Sequence, residues 1–374
     1  MAACRRFAEE SLKPGFAQYD RENRFADELY EQATAQGLTN VVVPLEAGGL
    51  GLPMRALIDG GLVMSRVCAP ITFSIFFNNG ALRPILLGGT SELKTSVAEF
   101  LGAGKRVSLC LTEESSGTDL LALGTRAEYT AGQWLISGRK AMVGNGTHAH
   151  LYVTLADAVV NGRSQGPTFF AIPRESAGLS VSENTDKLGF RAVPTPTVTF
   201  DRVSVDDAQV IGPVGNGLPL LFNTLQFMRV GGGVVMLGIT EGATDDAMEW
   251  VTTRKIRNGV LSDASHIQIA LGKLIARSTA VDTLIRHAAS LLEDGLPCER
   301  QSASAKLTAA ELSVDATAAV VQMHGWRGID NSFPIQKRYR DARQTTIFEG
   351  TTELQAINLF HRHRKRYLAE VAAI

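Results

Sequence analysis

The sequence is poor in the features that would mark several classes of protein. Cysteine is scarce: Cys4, Cys68, Cys110 and Cys298 are the only four in 374 residues. They lie far apart, with no CxxC pair, so neither a disulfide framework nor a zinc site is expected, and a cytoplasmic protein is. An excess of one charge is also missing. Lys+Arg 37 against Asp+Glu 38 leaves a net charge of -1, without the basic footprint of a nucleic-acid binder. The longest uncharged stretch, Ala208 to Met228, carries two prolines, three glycines, two asparagines and two glutamines, so no membrane span is expected there. The opening MAACRRFAEESLKPGF lacks the apolar core of a signal peptide, and Glu9 and Glu10 do not suit a transit peptide. The close histidine pairs, His148/His150 and His361/His363, have no carboxylate cluster beside them. The first is expected at a strand edge and the second on a solvated basic run, and no metal is expected at either.

The familiar chemical motifs are missing too. There is no GxxxxGK[ST] phosphate loop, no GxSxG elbow and no HExxH pair, and GPVGNG (212–217) lacks the dinucleotide-binding fingerprint. What the chain does have is length for two to three domains and a 45% hydrophobic content typical of a globular core. Residues 1–105 read as helices. Phe25, Leu29 and Ala33 recur at helical spacing, and Gly37 is placed to end that helix. Residues 106–212 change texture to short β-branched and aromatic runs separated by Gly, Asn, Asp and Pro, the pattern of an antiparallel β-barrel or sandwich. Residues 213–374 return to helices, read as a C-terminal four-helix bundle. Within it, Gly231, Gly232 and Gly233 follow one another. Glycine weakens a helix interior, so either the helix is distorted there or a neighbour or ligand approaches its backbone closely.

Four stretches in order carry a resemblance: LTEESSGTDL (111–120), ISGRKAMVGNGTHAHLYVTLA (136–156), QMHGWRGI (322–329) and KRYRDARQTTIFEGTTELQ (337–355). Together they are similar to the signature segments of the acyl-CoA dehydrogenase family, in the same helix–strand–helix order. That resemblance implies FAD as cofactor and desaturation of an acyl thioester between Cα and Cβ. It also implies a homotetramer or homodimer and an electron-transfer flavoprotein as acceptor.

Desaturation needs a base for the α-proton and an acceptor for the β-hydride. No side chain accepts a hydride, so a cofactor must. The base should be a carboxylate in an apolar pocket, where desolvation raises its proton affinity. Glu349, in IFEGTT just ahead of a helix suggested by the capping-box spacing of Thr352 and Gln355, fits. The positive helix end favours its charged form and burial its neutral form, and sequence does not rank the two. By resemblance Glu349 is the catalytic base, and Arg229 and Gly350 lie beside the thioester. Arg229 reads equally well as an ion-pair partner within the bundle. For FAD the resemblance implies Leu111, Thr112 and Thr118, then Met142 and Gly144, then Thr351 and Glu353. It sends Arg254 with Gln322 and Gly325 to a neighbouring subunit's cofactor.

The sequence departs from the family pattern in three places. Met142-Val143-Gly144 replaces a Trp-Ile-Thr, which removes a hydroxyl. Arg257 and Asn258 stand where an aromatic is usual, and Gln226 replaces an Asp near the ligand's outer end. The last leaves open whether the acyl group rides on CoA or on an acyl carrier protein. Phe73, Phe76 and Phe77 either shorten the acyl pocket or pack the helical core. A flavin oxidase or monooxygenase, and a flavin-free partner subunit, are the competing readings.

Overall fold

The computed structural model describes residues 1–120 and 122–372. The chain begins with α1 (Ala2–Phe7), α2 (Lys13–Glu22), α3 (Asp27–Ala35), the long α4 (Met54–Ala81), α5 (Arg83–Gly88) and α6 (Ser91–Gly102). Leu29 and Ala33 are buried along α3, Phe25 is buried just ahead of it, and Gly37 follows its end at φ +72. Pro70 sits inside α4, where it has no N–H to give and crowds the carbonyl four residues earlier. Cys68 leaves the helical region accordingly, and the freed Arg66 carbonyl accepts a hydrogen bond from Arg338 at 2.8 Å.

The middle of the chain supplies β1 (Val107–Cys110), β2 (Arg126–Thr130), β3 (Gln133–Lys140), β4 (Leu151–Val160), β5 (Arg163–Pro173), β6 (Leu179–Val181), β7 (Val198–Val205) and β8 (Val210–Ile211). They make one eight-stranded sheet in the order β6-β7-β3-β2-β4-β5-β8, with β1 added beside β4. The sheet is mixed, whereas the sequence pattern predicts antiparallel pairing throughout. Both β1 and β2 run parallel to β4, along its first and second halves respectively. β5 occupies the other edge of β4, so β1 and β2 lie end to end along one edge, and 111–125 is an excursion between two collinear strands. Alternation along β4 sends Leu151, Val153 and Leu155 toward α4–α6, and Tyr152, Ala156 and Ala158 to the sheet's other face. His148 is in a 3-10 turn before β4, stacked on Phe25 and paired with Asp27 at 3.2 Å, so it belongs to the packing between domains.

The C-terminal part is α7 (Leu218–Thr253), the small exposed hairpin β9 (Lys255–Ile256) and β10 (Gly259–Val260), α8 (Ser265–Glu293), α9 (Glu299–His324), α10 (Ile335–Thr345) and α11 (Thr352–Ala372). Pro219 lies in the first turn of α7, where its missing N–H does no harm. The main core joins α4 to the bundle through Ile58, Val230, Leu237, Ile285 and Leu312. Residues 54–88 and α7 are long and apolar enough to cross a membrane, but both are mostly buried inside the fold, as core helices are.

Candidate active site

A cavity of about 970 Å³ opens where the three parts of the chain meet. Its walls are α4, the segment after β1, residues 141–144, the 187–195 segment, α7, and the turn between α10 and α11. Most of the lining surface is apolar, with charged groups set into it at Asp119, Lys187, Arg229, Arg343 and Glu349.

Glu349 stands in that last turn. It adopts φ +57, a left-handed conformation that a residue with a side chain takes at a cost of about 1–2 kcal/mol. Three contacts hold it there. Lys306 Nζ on α9 donates to the Gly350 carbonyl at 2.7 Å, Gln355 Nε2 donates to the Glu349 carbonyl at 3.3 Å, and Thr352 N–H donates to Thr346 O at 3.0 Å. Gly350 follows at φ +84. The cap of α11 is Thr351 and not Thr352: its hydroxyl accepts from the Leu354 N–H at 3.2 Å. Gln355 donates to the Glu349 carbonyl and its Oε1 is unpartnered, so the cap is one-sided and the expected reciprocal box does not form.

Both Glu349 carboxylate oxygens are buried and have no hydrogen-bond partner. Burial therefore decides the competition that sequence leaves open. It pushes the carboxyl up to about 8, against the opposing pull of Lys306 and Arg229. Lys306 is fully buried, and burial pushes its ammonium down to about 8. This lysine, unassigned in sequence, is a positioning group: it fixes the turn and exerts the larger of the two opposing pulls on the carboxyl. Only its presence in an otherwise small, apolar helix face hints at it. Lys306→Met should release the Gly350 carbonyl and raise the proton affinity of Glu349 further. The acid limb of the pH–rate profile should then move upward by about one unit, roughly a tenfold loss at neutral pH. A profile that keeps its midpoint while only the protein's stability falls would reduce Lys306 to a scaffold role.

Arg229 lines the cavity from α7, with its Nε buried and unpartnered. It makes no ion pair among the described residues, so the bundle-partner reading fails and its charge is left facing the cavity. Burial lowers its proton affinity, and Glu349 opposes that. Met228 lines the wall beside it. Gln226 does not. It is buried and accepts a 2.9 Å bond from the Cys298 thiol, so its difference from the family pattern lies outside the cavity.

The opposite wall is held by a buried ion pair. Lys140 Nζ donates to Glu113 at 2.7 Å and to the Leu111 carbonyl at 3.1 Å. Glu113 also accepts from Gly124 N–H at 2.7 Å and Thr125 N–H at 3.0 Å. This clamp pins both ends of the 111–125 excursion and keeps Leu111, Thr112 and Thr118 on the cavity. Met142 and Gly144 line it as well. A Cβ on Gly144 would lie 2.9 Å from two atoms of the Phe77 ring, so the bare glycine is what admits that ring. Phe73 and Phe77 face the cavity, whereas Phe76 packs into the helical core.

The structure thus brings together Leu111, Thr112, Thr118, Met142, Gly144, Arg229, Glu349, Gly350 and Thr351. It does not bring Arg254, Gln322, Gly325 or Glu353 to this cavity. Glu353 is exposed on the first turn of α11. Arg254 lies over the Trp250 ring, which in turn stacks on His324 beside the exposed Gly325, on a separate surface of the bundle. Arg257 and Asn258 are exposed in the β9–β10 hairpin.

Three family models match in succession: acyl-CoA dehydrogenase N-terminal domain over residues 1–105, middle domain over 108–203 and C-terminal domain over 215–363. The short-chain specific acyl-CoA dehydrogenase of Bos taurus mitochondria is 32% identical over 95% of this chain and 86% of its own length. The butyryl-CoA dehydrogenase structure from Megasphaera elsdenii superposes with a TM-score of 0.92 at 25% identity, covering 96% of this chain and 95% of that one. An acyl-CoA dehydrogenase from Bacillus anthracis, solved with FAD, shares the fold with a TM-score of 0.90 at 23% identity, over 99% of this chain and 66% of that one.

Proposed function

The chain belongs to the acyl-CoA dehydrogenase family, whose members are FAD-dependent oxidoreductases acting on CH–CH groups, and on that premise we propose that it desaturates a short acyl-CoA. The observation that carries the proposal is the buried, unpaired Glu349 carboxyl at the edge of the cavity, with a proton affinity raised to about 8. A carboxylate of that basicity can take an α-proton that the thioester carbonyl has acidified.

The residues present fit FAD. The volume of about 970 Å³ leaves room for a large planar ring system beside an acyl chain, and hydroxyls at Thr112 and Thr118 are the compact donors that anionic and carbonyl oxygens need. When bound, the flavin supplies the hydride acceptor that no side chain provides. Leu111, Thr112, Thr118, Met142 and Gly144 would hold it on the sheet side, with Thr351 opposite. The Glu349 carboxylate receives the α-proton on an Oε atom. Lys306 and Arg229 stabilise the charge that the base carries before transfer, and Gly350 closes the turn beside it. Phe73, Phe77 and Met228 narrow the cavity between α4 and α7, which favours a short acyl chain. Arg254, Gln322 and Gly325 are proposed to complete the cofactor site of a second copy, so the working state is a homodimer or homotetramer. An electron-transfer flavoprotein is the proposed acceptor.

The test is an anaerobic titration of FAD-loaded protein with acyl-CoAs of increasing length, following the flavin absorbance. Short esters should bleach the yellow colour and long ones should not. Bleaching by acyl carrier protein esters alone would move the thioester to a carrier. Rapid reoxidation by oxygen with product bound would favour an oxidase. Protein that stays colourless in excess FAD would overturn the reading in favour of a flavin-free partner subunit.

A further inference from the structure

The three consecutive glycines of α7 are not explained by helix packing alone. The helix runs through them without interruption, so the distortion considered from sequence does not occur. Their surroundings differ sharply. A Cβ on Gly231 would meet nothing within 4 Å, and one on Gly233 would touch Ile285 at 3.3 Å. A Cβ on Gly232 would lie 2.1 Å from Glu349 Oε2 and 3.0 Å from its Cδ. No real side chain tolerates that approach. We propose that Gly232 is a positioning residue: the gap left by its missing side chain is the seat in which the Glu349 carboxylate rests, withdrawn from the cavity, until a thioester draws it out.

Two further observations agree. Glu349 contributes to the cavity wall, yet both of its carboxylate oxygens are sealed off and unbonded. A carboxylate held by hydrogen bonds would need no such notch, whereas one held only by shape does. The charged groups around the seat are Arg229 on the same helix and Lys306 from α9, which itself faces Glu353 of α11. Asp119, Lys187 and Arg343 line the cavity more generally. None of them bonds the carboxylate. The seat is closed and offers no hydrogen bond, so a proton is retained there more readily than on a carboxylate that reaches into the open cavity. Gly232 therefore sets how basic Glu349 is before substrate arrives.

This inference rests on the reading of Glu349 as the base, and the experiment separates the two. Gly232→Ala and Gly231→Ala are compared with wild type in two measurements. One is the pH dependence of kcat/KM for the FAD-loaded enzyme, which reports the free enzyme's base. The other is the infrared carboxyl band of FAD-free protein, assigned by its loss in Glu349→Gln. Gly232→Ala should push the flexible carboxylate into the cavity, lower the kcat/KM midpoint by about one unit, and convert the protonated carboxyl band to carboxylate at neutral pH. Gly231→Ala should leave both unchanged. Gly232→Ser, which carries the same Cβ, repeats the test should the alanine variant misfold. Gly232 variants that match Gly231→Ala in both measurements overturn the seat, while an inactive Glu349→Gln leaves the base in place. A fully active Glu349→Gln overturns the base reading itself.

Discussion

Glu349→Gln should lower the rate of flavin reduction by about 10²–10⁴-fold, the range expected when a positioned base is lost. The FAD spectrum should be retained, because Glu349 is not among the residues proposed to hold the cofactor. The same substitution has a second, opposite effect on stability. The folded-state proton affinity of Glu349 is raised above its ordinary value of 4.5 to about 8. Folding therefore takes up a proton between those two values, and the stability present below pH 4.5 is progressively lost as pH rises to 8. The glutamine of the variant is a neutral stand-in for the protonated acid and does not suffer that loss. Denaturant unfolding should show the variant gaining on the order of a few kcal/mol over wild type at about pH 8–9, with little difference near about pH 4–5. Activity and stability thus move in opposite directions, as they do where function holds a group in an environment that its charge disfavours.

The second large effect is expected on the other wall. Lys140 and Glu113 are 0% and 5% exposed. Lys140→Met would leave a buried carboxylate with only its two backbone donors, which costs about 3–5 kcal/mol. The loss would not be spread evenly. The Leu111 carbonyl and the start of the 111–125 excursion would be released with it, so FAD retention should fall together with stability. Adding Glu113→Gln to Lys140→Met should recover part of the stability, since the stranded charge is gone, but not the FAD affinity. Burial pushes the Glu113 carboxyl up, yet Lys140 and the Thr125 N–H outweigh it, so its proton affinity is lowered overall. Its contribution is therefore present above the ordinary carboxylate range and lost as pH falls through it. If Lys140→Met unfolds at the wild-type denaturant concentration and binds FAD normally, the clamp has no such role.

Much of the architecture is legible in the sequence. Helical spacing around Leu29 and Ala33, β-branched runs between turns, and an Ala-rich return to helix are local properties, and the three-part organisation follows from them. The EGTT context locates Glu349. What is not legible depends on approach between distant segments. Strand alternation says which face a residue takes but not which direction its neighbour runs, so it does not reveal the parallel pairing of β1 and β2 with β4. Lys306 reads as one charge in an alanine-rich helix until its ammonium meets the Gly350 carbonyl. Gly144 reads as a lost hydroxyl, and in the fold it is the space that Phe77 occupies. Gln226 reads as an altered ligand contact and is a partner of Cys298 instead. The glycine triplet signals a close approach without saying by what. The answer, a carboxylate from a turn more than a hundred residues later, exists only in the fold.

The most direct test of Glu349 as the base follows the proton alone, with no flavin turnover to complicate it. A short saturated acyl-CoA is incubated anaerobically in D₂O with the reduced FAD-loaded enzyme, and deuterium entering the α-carbon is measured by mass spectrometry. Wild type should exchange the α-hydrogen, with a pH dependence that rises through about 8, and Glu349→Gln should show no exchange above the uncatalysed background. Exchange that continues in Glu349→Gln would place the base on another residue and contradict the mechanism.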